Sequence, residues 1–143
     1  MLIFQNGIAE QIYTHAKNEY PKECCGIILG RRLGKQRIAD RIIQALNITN
    51  ENNAAAHFQI DSLEVVRAET QAENDGLEII GFYHSHPDCE TVASNEDVLH
   101  MIEGYSYPII SVKKGICVGI NSFEKLMQRG TKANQEEILI KEK

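Results

Sequence analysis

The stretch Gly81-Phe82-Tyr83-His84-Ser85-His86-Pro87 restricts what this chain can fold into more than any other. An apolar run of Leu77, Ile79, Ile80 and Phe82 leads into two histidines set two residues apart. In a strand, residues i and i+2 point to the same face, so both imidazoles can converge on a single ion. On a helix the same pair would diverge by about 200°, given roughly 3.6 residues per turn. Pro87 withdraws a donor from the ladder and ends the strand's pairing, and Ser94-Asn95-Glu96-Asp97 then reads as a helix start capped by Ser94. Asp97, one turn into that helix, can face back toward the histidines.

With 43% hydrophobic residues, 143 residues are enough for one domain with a proper core and too few for two, so a single domain over residues 1–143 is expected. The net charge of −5 comes with scattered Lys and Arg, which excludes the basic footprint of a nucleic-acid or polybasic membrane binder. No apolar run approaches the roughly 20 residues of a membrane span, and the N-terminus lacks the pattern of a secretory signal, so the cytoplasm is the expected compartment. Cys24, Cys25, Cys89 and Cys117 show no C-x-x-C spacing and read as free or buried thiols. Cys89, three residues after His86, reads as an accessible, oxidation-sensitive thiol rather than a ligand.

In chain order, Asn6 is read as the cap of a helix in which Ile8, Ile12, Ala16 and Tyr20 recur every four positions until Pro21. Residues 24–30 form a nearly continuous apolar run, suited to a strand buried on both faces. Basic residues 31–37, with Gly34, turn the chain into a second strand over 37–46. Residues 47–56, with Asn47, Asn50, Asn52 and Asn53, read as a polar loop beside a binding groove. Asp61 or Ser62 caps a helix to about Asn74, with Leu63, Val66 and Thr70 facing inward. After the histidine strand, the Ser94 helix is expected to end near Gly104, followed by short strands over 107–112, 116–120 and 138–140. Mixed helices and strands with hairpin connections indicate an α+β or α/β class around a mixed sheet.

Two imidazoles and a carboxylate make the ligand set of a catalytic zinc, which leaves a position for water and lowers that water's pKa from about 15.7 toward about 7. A base is then needed. Glu23 is the candidate, because a charged residue beside Cys24-Cys25-Gly26 needs a reason and a sheet can bring that rim alongside His84. Ser94 can donate a hydrogen bond to an oxyanion formed on an attacked carbonyl. On local grounds alone, Ser94-x-x-Asp97 is a helix-capping pair, and only the histidine pair upstream reverses that ranking. His15, His57 and His100 belong to no motif and read as surface or core histidines, and Tyr83 reads as packing.

Glu23, His84-Ser85-His86, seven residues, Ser94, two residues and Asp97 together resemble the Glu…His-Ser/Thr-His-x₇-Ser-x₂-Asp signature of the JAMM (MPN+, Mov34/PAD-1) metalloprotease family. The flanks Pro21-Lys22-Glu23-Cys24-Cys25-Gly26 and Gly81 to Pro87 are similar to that family's as well. The resemblance implies an α+β fold, an α/β sandwich with a cytidine-deaminase-like mixed sheet flanked by helices. It also implies zinc (Zn2+) on His84, His86 and Asp97, Glu23 as acid/base, Ser94 as oxyanion partner, a structural Ser85, and hydrolysis of peptide or isopeptide bonds. The compact chain is similar to small prokaryotic members associated with ubiquitin-like sulfur-carrier proteins, which release an amino acid or peptide from the carrier's Gly-Gly tail. An extended tail of that kind suits a site at a sheet edge. A non-catalytic MPN-type scaffold is the main rival, though such members usually lack a ligand. A non-haem iron oxygenase also uses two histidines and a carboxylate, in a different order, and an amidohydrolase barrel needs about 250 residues.

Overall fold

The computed structural model describes residues 1–49 and 58–142; residues 50–56 of the expected polar loop, and His57, lie outside them. The chain runs through β1 (Leu2–Phe4), α1 (Ile8–Glu19), β2 (Cys25–Leu33), β3 (Gln36–Ala45), α2 (Ser62–Asn74) and β4 (Glu78–Pro87). It continues through α3 (Asn95–His100), β5 (Tyr107–Lys113), β6 (Ile116–Lys125), β7 (Ala133–Glu136) and β8 (Ile138–Ile140). Among the described residues these strands form one mixed sheet of eight, in the order β7-β6-β5-β4-β2-β3-β1-β8. No helix among them is long and apolar enough to cross a membrane.

The histidine strand β4 lies inside the sheet, antiparallel to β2 and parallel to β5. A slip in the β2–β4 ladder between Ile28 and Leu29 breaks the strict alternation of β4. Ile80 and Tyr83 therefore pack with Ile12 and Ala16 of α1 on one face, while Ile79 and Phe82 pack with Ala68 and Ala72 of α2 on the other. β7 and β8 occupy the two ends of the sheet, yet only Glu137 separates them in the chain, so the sheet curls until its ends meet. Arg37 of β3 holds that junction, reaching Glu124 of β6 at 2.8 Å and Glu136 of β7 at 3.2 Å.

Several local expectations are corrected. The first helix begins after Gly7, whose φ of 84° makes the turn, and no side chain caps it, so Asn6 does not have that role. Asp61 does cap α2, accepting from the Leu63 amide at 3.0 Å. The buried face of α2 is Ala68 and Ala72, however, with Leu63, Val66 and Thr70 outward. Small residues let the helix approach the sheet closely, which a reading weighted by side-chain size overlooks. α3 stops at His100 rather than near Gly104, because Met101 turns extended and buries its side chain with Tyr107, Ile109 and Phe123. β2 and β3 extend further into residues 31–37 than expected, leaving a tight turn at Gly34. Strand β7 was not expected at all.

β4 and the segment before β5 approach closely at Gly81, where an added Cβ would lie 2.2 Å from the carbonyl oxygen of Ser106. That oxygen accepts the Phe82 amide at 3.0 Å, so it cannot swing aside without breaking the β4 connection. Gly81→Ala is expected to destabilise the fold by about 1–3 kcal/mol through overpacking, read as a lower urea midpoint at unchanged m-value.

Candidate metal centre

The carboxyl end of β4 presents His84 and His86 on the same side of the sheet, with Nε2 atoms 3.1 Å apart. Pro87 ends the strand, and the loop that follows returns Asp97 of α3 against both rings. The Asp97 carboxylate lies 3.3 Å from His84 Nε2 and 3.1 Å from His86 Nε2. Ser94 caps α3 in a capping box: its Oγ accepts the Asp97 amide at 3.0 Å, and its own amide donates to Asp97 Oδ2 at 2.9 Å. Capping and site-building, rivals on paper, are thus done together by the same carboxylate. On the other side, one carboxylate oxygen of Glu23 and one ring nitrogen of each histidine all lie within 4.8 Å of one another. The structure brings together all five residues expected of the site.

The ring orientations are set by their outer partners. The carbonyl of Glu90, which can only accept, takes a hydrogen bond from His86 Nδ1 at 2.9 Å, so in the neutral ring Nε2 carries the lone pair and faces the cluster. Phe58 stacks on His84 with ring centroids 4.5 Å apart. Burial pushes the His84 ring below its usual pKa, against the pull of Asp97. For His86 burial acts the same way, but hydrogen bonds with Asp97 and the Glu90 carbonyl outweigh it and raise the pKa. Burial would also raise Asp97, yet its contacts with both imidazoles hold it well below the usual carboxylate range.

Glu23 behaves differently. It is 4% exposed, and its Oε2 has no hydrogen-bond partner among the described residues. Burial pushes its pKa up to about 7, with His86 opposing and Asp97 and Glu96 adding to the rise. An orphaned carboxylate oxygen beside three converging polar groups is a structural cost unless something else occupies the space. The donor set suits a small divalent cation: tetrahedral bonds of about 2.0–2.1 Å put neighbouring ligand atoms about 3.4 Å apart, close to the 3.1–3.3 Å seen among His84, His86 and Asp97.

These groups line a cleft of about 960 Å³, with Phe58, Ile60, Phe82, Met101 and Tyr107 among its apolar walls. The cleft opens at the end of an interior strand, not at a sheet edge as expected for an extended tail. Of the remaining histidines, His15 is buried and its Nδ1 bonds Tyr83 Oη at 2.7 Å, so Tyr83 does more than pack; His100 is exposed on the cleft rim. The four cysteines are free thiols, with Cys89 exposed at the same rim. Phe58 and the Glu90 carbonyl escaped the sequence reading; a lone aromatic after a polar loop was the only available signal for the first, and a backbone carbonyl carries none.

The sequence profile of the prokaryotic homologs of the JAB domain matches residues 5–124. The chain belongs to the JAB (JAMM/MPN) family. It is 30% identical over 76 residues to the desampylase of Pyrococcus furiosus, covering 53% of this chain and 49% of that protein. It is also 30% identical over 98 residues to a Thermus thermophilus protein named a probable TtuB-protein conjugate cleaving protease, covering 68% and 62%. The chain thus matches about half to three fifths of the length of these curated relatives. Protein DSY2949 from Desulfitobacterium hafniense superposes with a TM-score of 0.83 at 30% identity, over 100% of this chain and 94% of that one. AF2198, a JAB1/MPN domain protein from Archaeoglobus fulgidus, shares the fold with a TM-score of 0.60 at 16% identity, over 98% and 96% of the two chains. The α+β reading and the family resemblance both hold.

The raised pKa of Glu23 has a measurable consequence for the metal-free protein. The unfolded carboxyl ionises near 4.5 and the folded one near 7. Between those values the native state holds a proton that the unfolded state has lost, so this group's contribution to stability falls as pH rises through that window. Metal-free Glu23→Gln is expected to match wild type below the window and to exceed it above by on the order of 2–3 kcal/mol, in denaturant melts across pH.

Proposed function

We propose that this JAB-family chain is a zinc-dependent metallopeptidase whose residues 1–143 act as one catalytic domain in the cytoplasm. Its substrate is a peptide or isopeptide bond following the Gly-Gly C-terminus of a ubiquitin-like sulfur-carrier protein. One observation carries the reading: three ligand-type groups converge within 3.3 Å contacts, while the carboxyl of Glu23 stands beside them buried and partly unpartnered.

His84, His86 and Asp97 would hold the zinc. Glu23 also falls within ligand distance of the histidines, but Asp97 makes the closer contacts and is held ionised, whereas Glu23 sits near its own pKa. Bound there, zinc supplies Lewis acidity, lowering the pKa of a water from about 15.7 toward about 7 and polarising the scissile carbonyl. Glu23 takes the proton of the attacking water and passes it to the departing amine, a task suited to a group with a pKa near neutrality. Ser94 Oγ already accepts the Asp97 amide and retains its own O–H to donate to the oxygen that becomes negative. Phe58 shields one face of His84 and narrows the cleft, so small residues pass most readily beside the metal ligands.

The names of the relatives, a desampylase and a conjugate-cleaving protease, support a bond between a carrier and its adduct as the target. A non-catalytic scaffold has no use for a buried carboxyl with an orphaned oxygen aimed into a cleft. The test is metal analysis together with cleavage of a folded carrier fused through Gly-Gly to an amino acid, followed by mass spectrometry. Asp97→Ala is expected to lose both zinc and turnover. Glu23→Gln is expected to keep zinc and lose roughly 10²–10⁴-fold in kcat. Zinc-loaded wild type that leaves the folded fusion intact would sink the reading.

A further inference from the structure

We propose that Asn47 is a positioning residue that fixes Glu23 in the cleft and couples it to the Phe58 wall; this rests on the reading of Glu23 as the acid/base. Glu23 lies outside the β2 ladder, whose first paired residue is Cys25. Just beyond the ladder the Ser85 amide still reaches the Cys24 carbonyl at 3.1 Å, but Glu23 lies one residue further out and needs another hold. Two side chains complete it. Ser85, between the two histidines, accepts the Cys24 amide at 2.8 Å, and the side-chain amide of Asn47 donates to the Glu23 carbonyl at 3.0 Å.

Among the described residues, Oε2 of Glu23 has no hydrogen-bond partner to fix it. The position of that oxygen follows the backbone that carries it, and Asn47 grips that backbone. The other end of the Asn47 amide accepts from the backbone N–H groups of Thr49 and Gln59, at 3.1 Å each. The Ile48 amide adds a bond to the Gln59 carbonyl at 3.0 Å. Gln59 directly follows Phe58, whose ring lies on His84. Only one orientation of the amide satisfies two N–H donors and one carbonyl at once, so the network itself determines which end is oxygen. Asn47 thus joins the acid on one wall to the aromatic on the other through a single planar group.

The test compares Asn47→Ala and Asn47→Asp, the second of which keeps the shape and the acceptor contacts to Thr49 and Gln59 and loses the donor to Glu23. Both are expected to lower kcat roughly ten- to a hundredfold on the Gly-Gly fusion, with KM within about twofold and zinc content unchanged, as for a misplaced catalytic group. In a Glu23→Gln background the same changes are expected to cost less than about twofold, because the route runs through Glu23. Full activity in Asn47→Asp, or losses that multiply with those of Glu23→Gln, would overturn the inference. Crystal structures of the zinc-loaded variants read position without turnover. The Glu23 carboxyl is expected to shift while His84, His86 and Asp97 stay in place, and an unmoved Glu23 overturns the proposal. Those crystals still decide the point if wild type cleaves nothing, a result that instead counts against the peptidase reading.

Discussion

The register between β2 and β4 is the constraint on which the site depends. Cys25 stands opposite His84, and just beyond that pair Ser85 Oγ takes the Cys24 amide while the Ser85 amide returns a bond to the Cys24 carbonyl at 3.1 Å. These bonds hold Glu23, the next residue back, level with the histidines. A one-residue slip would turn both imidazoles toward α1, where Ile12, Ala16 and Ile110 fill the space, and would strand the glutamate. Such a slip is blocked from both sides, because β4 is paired to β5 as well and the core of each face is already full.

The two faces of β4 solve the problem of buried polarity in opposite ways. Under α1, Tyr83 crosses above Gly26, where an added Cβ would come within 2.2 Å of its ring, and its hydroxyl meets His15 Nδ1. In that pair the ring nitrogen and the hydroxyl satisfy each other, and the face serves stability. On the cleft face the polar groups are incomplete: among the described residues Glu23 keeps an unpartnered oxygen, and the two imidazole Nε2 atoms crowd one Asp97 carboxylate. Incomplete pairing of buried groups weakens a fold, and it persists where another species completes the set. The loop that orients His86 through the Glu90 carbonyl is correspondingly well anchored. Asp88 accepts from the Tyr20 hydroxyl and the Lys114 amide, Ser111 bonds the Cys89 carbonyl, and Asn121 donates to Thr91 at 2.6 Å.

Where the residue pattern misled, the cause was usually a competition that only packing resolves. In α2 the larger residues Leu63 and Val66 suggested one face, but Ala68 and Ala72 permit the closer approach to Ile27 and Ile79 and therefore decide which side is buried. The sequence Ala133-Asn134-Gln135-Glu136 has no apolar alternation, yet it forms β7 because β6 offers it a free ladder and Arg37 and Ser122 satisfy Glu136. The short α3 ends where burying Met101 outweighs another turn of helix.

Taken by itself, the residue order determined what neighbours along the chain can do together: two imidazoles on one face of a strand, a serine that caps a helix, and a carboxylate one turn in. These follow from fixed periods of two and 3.6 residues, which need no knowledge of the rest of the molecule. Glu23 could be named as the imidazoles' partner from the signature, but the tertiary structure alone decided how it reaches that pair, that Asn47 grips its backbone, that Phe58 lies on His84, and that the cleft opens at the end of an interior strand rather than at the sheet's edge. Those contacts join segments far apart in the chain, and their distances are set by strand order and core packing, which no local spacing encodes.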